Sequence, residues 1–433
     1  MTPGARLAAA IDIFGATETE RRPASDALKA WGLTHRFAGS GDRAAIAGLV
    51  YDALRRRASS AYLMGADSPR AILLGMLKRE RALSSDMIGK LADGSGYAPS
   101  VLTDDERARL DAASLDGAPA SVAGDYPEWL DPHLASVFGD ERAEEGAALA
   151  SRAPLDLRVN TLATDRDKAA AMLADLKPEP TRWSPYGLRI RLPADAKSPA
   201  VHAEPAFLKG MVEVQDEGSQ LAALFSAAKP GEQVVDLCAG AGGKTLALTA
   251  MMENKGQIYA TDDDKRRLAP IHERLARSGA RNVQVRTPKS VGDTIADLAG
   301  RADLVLIDAP CTGTGAWRRN PDAKWRMRPG ALDQRVKEQS DILDRAVPLL
   351  KTGGRIAYIT CSVLDEENGA QVRALMTRHA GFSIAPPAEV AGTLGERGFM
   401  FAKAARLSGE GLLMTPRTAD TDGFFVSILR HGG

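Results

Sequence analysis

The spacing of apolar positions divides this chain into three stretches with different expected elements. From the start to about Leu91 the period is helical. Ser68-Pro69 reads as an N-cap and first turn, with Leu73, Met76 and Leu77 on one face behind it. Ile46, Leu49, Val50 and Leu54 recur at the same spacing in another helix, which ends in Arg55-Arg56-Arg57. Residues 92–125 read as a connector holding Gly94-Ser95-Gly96 and one capped helix, with Thr103 and Glu106 in capping-box spacing. An all-helical domain with its connector is expected over residues 1–125.

Tyr126-Pro127-Glu128-Trp129-Leu130 opens a further helical segment. Short β-like runs follow, among them Leu157-Arg158-Val159-Asn160 and Leu188-Arg189-Ile190-Arg191, so residues 126–230 are expected to hold a helical piece and a small α+β subdomain. From Glu232 onward strand and helix alternate. The expected strands are Gln233–Leu237, Gln257–Thr261, Val283–Arg286, Leu304–Ile307 and Arg355–Ile359. Such alternation predicts an α/β fold with a doubly wound parallel sheet over residues 231–433. The late run Gly423-Phe424-Phe425-Val426-Ser427-Ile428-Leu429 is expected to add an antiparallel edge strand.

Composition narrows the class. A hydrophobic share of 44% in 433 residues leaves ample material for real cores. Lys plus Arg and Asp plus Glu both number 56, so there is no bulk attraction to nucleic acid or membrane, and any polyanion site must be a local patch. Two places qualify. Arg55-Arg56-Arg57 is either a solvated helix end favoured by the dipole or an RNA-facing patch. Trp317-Arg318-Arg319-Asn320-Pro321 and Lys324-Trp325-Arg326-Met327-Arg328 interleave cations for phosphates with aromatics for bases, or else form a basic surface loop anchored by its tryptophans.

The six histidines form no ligand pair, so no metal is expected. Three cysteines without C-x-x-C spacing point to a reducing cytoplasm rather than a disulfide framework. No apolar stretch approaches the ~18 residues of a membrane span, and the N-terminal pattern is not that of a signal peptide. A cytoplasmic monomer without a membrane partner is expected.

Chemistry concentrates at three strand ends. Cys238 follows Val234-Val235-Asp236-Leu237, Cys311 closes Asp308-Ala309-Pro310-Cys311, and Cys361 lies in Thr360-Cys361-Ser362. In an open parallel sheet such ends converge on the ligand crevice. The turn Gly240-Ala241-Gly242-Gly243-Lys244-Thr245 matches neither a Walker A loop nor a dinucleotide fingerprint, which suits a cofactor lacking pyrophosphate. Asp262 ends the next strand where an acid commonly accepts ribose hydroxyls, although Asp263 and Asp264 follow and an acidic helix start is the alternative.

Cys238 reads as an inert small hydrophobe. A thiol near an acid suggests covalent catalysis, with Lys244 as electrostatic help. Pro310 stiffens the exit from its strand, and Thr312-Gly313-Thr314-Gly315 lets the backbone wrap close to a substrate. A thiol, an acid and a nucleoside cofactor together suggest pyrimidine chemistry. A thiolate added to carbon 6 of cytosine makes carbon 5 nucleophilic, and Asp308 is placed to assist at N3.

In this order, DLCAGAGGKT, DAPCTGTGAWRRNPD, YITCSVLDEEN and DGFF resemble the Sun/NSUN-type family of RNA cytosine-5 methyltransferases, which use S-adenosylmethionine. Leu157-Arg158-Val159-Asn160-Thr161 and Val214-Gln215-Asp216-Glu217-Gly218-Ser219-Gln220 extend the resemblance upstream. Asp42-Arg43 and Leu49-Val50-Tyr51-x-x-Leu54-Arg55 resemble the NusB-like RNA-binding domain of RsmB-type members. The resemblance implies a Rossmann-like class I methyltransferase domain, a NusB-like helical domain, and RNA as partner. Small-subunit (16S) ribosomal RNA is the first expectation; transfer RNA, or a non-catalytic RNA-binding assembly factor, is the alternative.

It further implies Cys361 as nucleophile, Cys311 as the group that assists release, Asp308 on the cytosine, and Lys244 completing the reaction centre. Cofactor contacts are implied for Cys238, Ala239, Gly240, Ala241, Gly242, Gly243, Lys244 and Asp308, with ribose on Asp262. The chain departs from the pattern twice. Lys289 stands where a further cofactor-binding acid aligns, and Ala241 replaces a common proline, which should loosen the turn.

Overall fold

The computed structural model describes residues 1–192, 199–288 and 292–432. The chain divides into two compact units, one comprising Met1–Arg152 with Trp317–Met327, the other most of the remaining described chain.

The first unit is helical. Helices Pro3–Glu20, Ser40–Arg55 and Pro69–Arg79 share a core in which Leu7, Phe14, Ile46, Val50, Leu73 and Leu74 are buried. The expected caps are present. Ser68 Oγ accepts from Ala71 N at 3.2 Å, and Thr103 and Glu106 complete a reciprocal capping box. Helices Arg57–Met64 and Pro69–Arg79 approach through Gly75, where a Cβ would stand 2.6 Å from the Ser60 carbonyl oxygen.

Both basic stretches differ from expectation. Arg55 is buried on Asp52, Arg56 pairs with Glu80 at 2.7 Å, and Arg57 pairs with Glu18 at 2.8 Å and Asp67 at 3.2 Å. The triplet is therefore neither a solvated helix end nor an RNA-facing patch. Trp317 is 1% exposed and Lys324 0%, so much of the later stretch is interior rather than surface loop; Arg326 and Arg328 stay exposed. Lys324 Nζ donates to the carbonyls of Arg55 at 3.0 Å and Asp125 at 2.6 Å, while Trp325 Nε1 donates to Leu54 O at 2.6 Å. Burial pushes the Lys324 amine down to about 7, Arg56 and Arg55 reinforcing it and Asp125 opposing. These cations meet carboxylates and carbonyls from distant helices, which a local charge pattern does not reveal.

The second unit carries two sheets. In the smaller, β1 (Leu155–Val159), β2 (Glu179–Pro180), β3 (Gly187–Ile190) and β4 (Val212–Val214) lie antiparallel in the order β2-β3-β1-β4. The larger contains β5 (Gln233–Asp236), β6 (Gln257–Thr261), β7 (Val283–Arg286), β8 (Ala302–Asp308), β9 (Leu350–Thr360), β10 (Phe382–Ile384), β11 (Arg406–Leu407), β12 (Leu412–Met414) and β13 (Phe424–His431). Its order is β11-β12-β13-β9-β8-β5-β6-β7, with β10 also on β13; the run from β9 to β7 is parallel.

β13 is antiparallel as expected, but it is not an edge strand. It pairs with β9 from Phe425–Thr360 to Arg430–Arg355 and with β12 on its other side. Its residues are buried from Phe424 through Leu429. A continuous apolar run, unlike an alternating one, marks a strand covered on both faces. The core joins Leu221 and Phe225 of helix Glu217–Phe225 and Leu248 of helix Gly243–Met251 to Val234, Leu304, Ile359 and Val426 of the sheet. Among the described residues no helix is long and apolar enough to cross a membrane.

Candidate active site

Strands β9, β8, β5 and β6 are successive neighbours in the sheet, so their carboxyl ends share one edge. Asp308 ends β8 and pairs in register with Ile359, one residue before the end of β9. The chains leaving these two strands bring Cys311 Sγ to 3.3 Å from Cys361 Sγ. Backbone and side chains lock the two exits together. Gly315 N donates to Cys361 O at 2.9 Å, and Thr314 Oγ1 lies 3.0 Å from Ser362 Oγ. Gly423 N donates to Gly315 O at 2.8 Å, and a Cβ on Gly315 would stand 2.1 Å from Gly423 O. This closeness brings the DGFF segment against the Thr312–Gly315 loop.

Glu367, to which the sequence assigns no role, supports the Cys311 loop. Fully buried, it accepts from Thr312 N at 2.8 Å, from the Thr312 hydroxyl, and from Gln339 Nε2 at 3.1 Å. The same Gln339 amide donates to Pro310 O at 2.9 Å. Asp365, Glu366 and Glu367 are equivalent in the phrase DEEN; only the turn after β9 sends one of them inward.

Lys244 opens helix Gly243–Met251 and places Nζ 2.6 Å from Asp308 Oδ2 and 5.1 Å from the centroid of the Phe424 ring. Beside this pair is a cavity of about 370 Å³. The expected Cys238, Ala239, Gly240, Ala241, Gly243, Lys244 and Asp308 line it, and Asp236 and Gln215 join them. Gly242 does not line it: at φ 83° its α-carbon faces Ile271, where a Cβ would lie at 2.5 Å.

Asp262 is 3% exposed and is not part of the lining. It braces the turn, Oδ2 accepting from Gly240 N at 3.0 Å and Oδ1 from Asp264 N at 2.9 Å. Asp264 caps the following short helix by accepting from Arg266 N at 2.8 Å, and Asp263 reaches Arg345 at 2.9 Å. Inward acid and acidic helix start are thus both present, two residues apart, as Asp262 and Asp264. Lys289 lies outside the described residues.

The turn without proline is nonetheless held. Arg274 Nη1 donates to Ala241 O at 2.8 Å, and Glu213 of β4 fixes Arg274 at 3.0 Å. Gln215, next on the chain beyond β4, accepts from Arg158 Nε at 2.6 Å. The small sheet therefore braces the glycine turn of the large one.

Asp236 Oδ2 accepts from Thr245 Oγ1 at 2.7 Å, while buried Oδ1 has no protein partner. Burial raises its acid to about 7, against the Thr245 hydrogen bond and with Asp308 adding to the rise. Burial also pushes the Cys238 thiol well up, Asp236 and Asp262 acting the same way, which suits an inert role. The Cys311 thiol is raised by its hydrogen bond with Cys361, then by burial, then by the charges of Cys361 and Glu367.

Comparison with known proteins follows this geometry. Residues 223–430 match the family described as 16S rRNA methyltransferase RsmB/F, and residues 126–197 match its ferredoxin-like domain. Over those residues the chain is similar to the RsmB/F methyltransferase family. Curated relatives include the ribosomal RNA small subunit methyltransferases B of Escherichia coli K12 and Shigella sonnei, each 36% identical over 259 residues. That alignment covers 59% of this chain and 58% of each relative's length. Among solved structures, a protein titled PH0851 matches with TM-score 0.70 and 26% identity over 99% of both chains. A methyltransferase homolog from Pyrococcus horikoshii matches at 0.57 and 27%, over 72% of this chain and 97% of the other.

Proposed function

We propose that this chain methylates carbon 5 of cytosine in RNA, with small-subunit ribosomal RNA as substrate, through a covalent adduct on Cys361. The observation that carries the reading is the pair of thiols 3.3 Å apart on the loops after β8 and β9, with the Lys244–Asp308 ion pair at the end of β8 lining a cavity built on a glycine turn. The names of the curated relatives support the choice of ribosomal RNA.

The residues present fit S-adenosylmethionine. The cavity contains an unpartnered acceptor, Asp236 Oδ1, suited to an ammonium group, and at Gly240 a Cβ would meet nothing nearer than 3.9 Å. The backbone from Cys238 to Ala241 with Gly243 and Asp236 would hold the methionine end, while Asp262 acts behind the cavity by bracing Gly240 N. When bound, this cofactor would supply an electrophilic methyl group.

The protein's own part is addition and release. Cys361 sulfur, having lost its proton to water, bonds to carbon 6 while Asp308, oriented by Lys244, accepts from N4 and holds the base in place; the carbon 5–carbon 6 electron pair moves onto the ring. Carbon 5 then carries the nucleophilic electron pair. After methylation Cys311 takes the proton from carbon 5, and the bond between Cys361 and carbon 6 breaks. A base in a duplex must first be flipped out, at about a few kcal/mol.

The test is incubation of wild type, Cys311→Ala and Cys361→Ala with labelled S-adenosylmethionine and unmodified ribosomal RNA, read by denaturing gel and nucleoside analysis. Wild type yields 5-methylcytidine, Cys311→Ala accumulates an adduct, and Cys361→Ala yields neither. Normal turnover by Cys361→Ala overturns the assignment; product only on transfer RNA replaces the substrate.

A further inference from the structure

Two cysteines in contact pose a selection problem: either thiol could attack, and attack from the wrong one misplaces the base. Both cysteines follow the ends of adjacent parallel strands, Cys361 directly after Thr360 and Cys311 three residues after Asp308. The asymmetry lies behind Cys311. Glu367 is buried and turned toward the residue after Cys311, accepting from both the amide and the hydroxyl of Thr312. Tyr358 of β9 fixes the Glu367 backbone through its hydroxyl, 2.6 Å from Glu367 O. Gln339 fastens both Glu367 and Pro310, so the residues on either side of Cys311 are held to one carboxylate-bearing scaffold.

We infer that Glu367 is a positioning and selecting residue, which holds the loop on either side of Cys311 and whose negative charge helps to keep Cys311 as a thiol, leaving Cys361 as the one that attacks. The inference rests on the two-cysteine reading above. A like charge beside a thiol disfavours the thiolate, and the thiolate is the nucleophilic form. The Cys311 thiol is raised first by its hydrogen bond with Cys361 and by burial, then by the charges of Cys361 and Glu367, against a backbone hydrogen bond from Gly313; Tyr358 would also be negative when ionised, so none of these ionisable groups offers a thiolate a countercharge. Lys244 is engaged with Asp308. In one coupled step Cys311 sulfur takes the carbon 5 proton, the 5,6 double bond re-forms, and the departing Cys361 sulfur, 3.3 Å away, takes the proton that Cys311 already carried. That exchange conserves protons: Cys311 gives one to the departing Cys361 sulfur and takes one from carbon 5.

The test titrates a thiol and needs neither RNA nor methyl donor, so its outcome is separate from that of the methylation assay. In a Cys361→Ala background, alkylation of Cys311 by iodoacetamide is followed against pH by peptide mass spectrometry, which distinguishes it from Cys238. With Glu367 in place, Cys311 should ionise above the ordinary cysteine range. Glu367→Gln should lower the midpoint and make alkylation several-fold faster at mildly alkaline pH. Thr312→Val, which removes the hydroxyl donor and keeps the carboxylate, should leave the midpoint high. An ordinary midpoint with Glu367 present overturns the inference even if Glu367→Gln does not fold. Equal midpoints with and without the carboxylate overturn it as well, as does a fall in Thr312→Val equal to that in Glu367→Gln.

Discussion

Lys244 Nζ and Asp308 Oδ2 stand 2.6 Å apart, yet the lysine is buried while the aspartate is about a third exposed. The pair is therefore asymmetric. Lys244→Met leaves a carboxylate that water can reach, whereas Asp308→Asn strands a buried cation. Asp308→Asn should destabilise the fold by about 1–2 kcal/mol, less than a fully buried pair would lose because the site is partly wet. Lys244→Met should cost less than that. Both should slow 5-methylcytidine formation by about 10²-fold or more. Urea denaturation and single-turnover assays measure the two effects; equal stability losses would contradict the asymmetry.

The brace from the small sheet to the glycine turn has a kinetic signature. Arg274→Met removes the donor to Ala241 O but leaves Arg277 to pair with Glu213. One lost hydrogen bond is worth about 1 kcal/mol. KM for S-adenosylmethionine should rise roughly fivefold while KM for RNA stays unchanged. A parallel rise in both would mean that the substitution disturbs the whole unit.

Gly315 and Gly423 cross so closely that a Cβ on Gly315 would meet Gly423 O at 2.1 Å. Gly315→Ala must push the Thr312–Gly315 loop away from the end of β9, at about 1–3 kcal/mol for forced overpacking. The two thiols should separate with it. Under a mild oxidant, wild type should give a linked Cys311–Cys361 peptide and Gly315→Ala little or none, as peptide mapping reads directly.

Lys324 links the stability of the helical unit to pH. Its amine titrates near 7 when folded, against 10.5 ordinarily. Below the folded value both states carry the proton and the burial penalty is full. Between the two values the unfolded chain holds a proton that the folded chain has released, so stability rises with pH, by at most about 1.4 kcal/mol per pH unit. Lys324→Met should remove that slope. Tryptophan fluorescence during denaturation at several pH values compares the two slopes; if they coincide, the lysine does not titrate in this window.

Several elements were legible in the chain because their signals are local. Gln257–Thr261 and Val283–Arg286 are strands over those same residues, and Thr103 and Glu106 form the capping box that their spacing announces. The three cysteines do lie at strand ends along one edge. What could not be read was partnership across distance. Arg57 resembles any cation at a helix end until Glu18 is folded against it. Lys324 looks like a phosphate ligand until its amine reaches the carbonyls of Arg55 and Asp125. Glu367 is one acid among three until the turn after β9 buries it. The misjudged position of β13 has a different cause: a run buried on both faces says that a strand is interior, but not which neighbours cover it.

The helical unit is completed by a segment far along the chain. Residues 153–316, 164 in number, separate Arg152 from Trp317. During synthesis at about 5–20 residues per second, Lys324 and Trp325 emerge roughly ten to thirty seconds after the helices that they join. Throughout that interval the carbonyls of Leu54, Arg55 and Asp125 lack their later donors and the core lacks the Trp325 ring. The nascent N-terminal helices must therefore wait on the ribosome in an unfinished state, exposed to chaperones, until the later sequence arrives to close them.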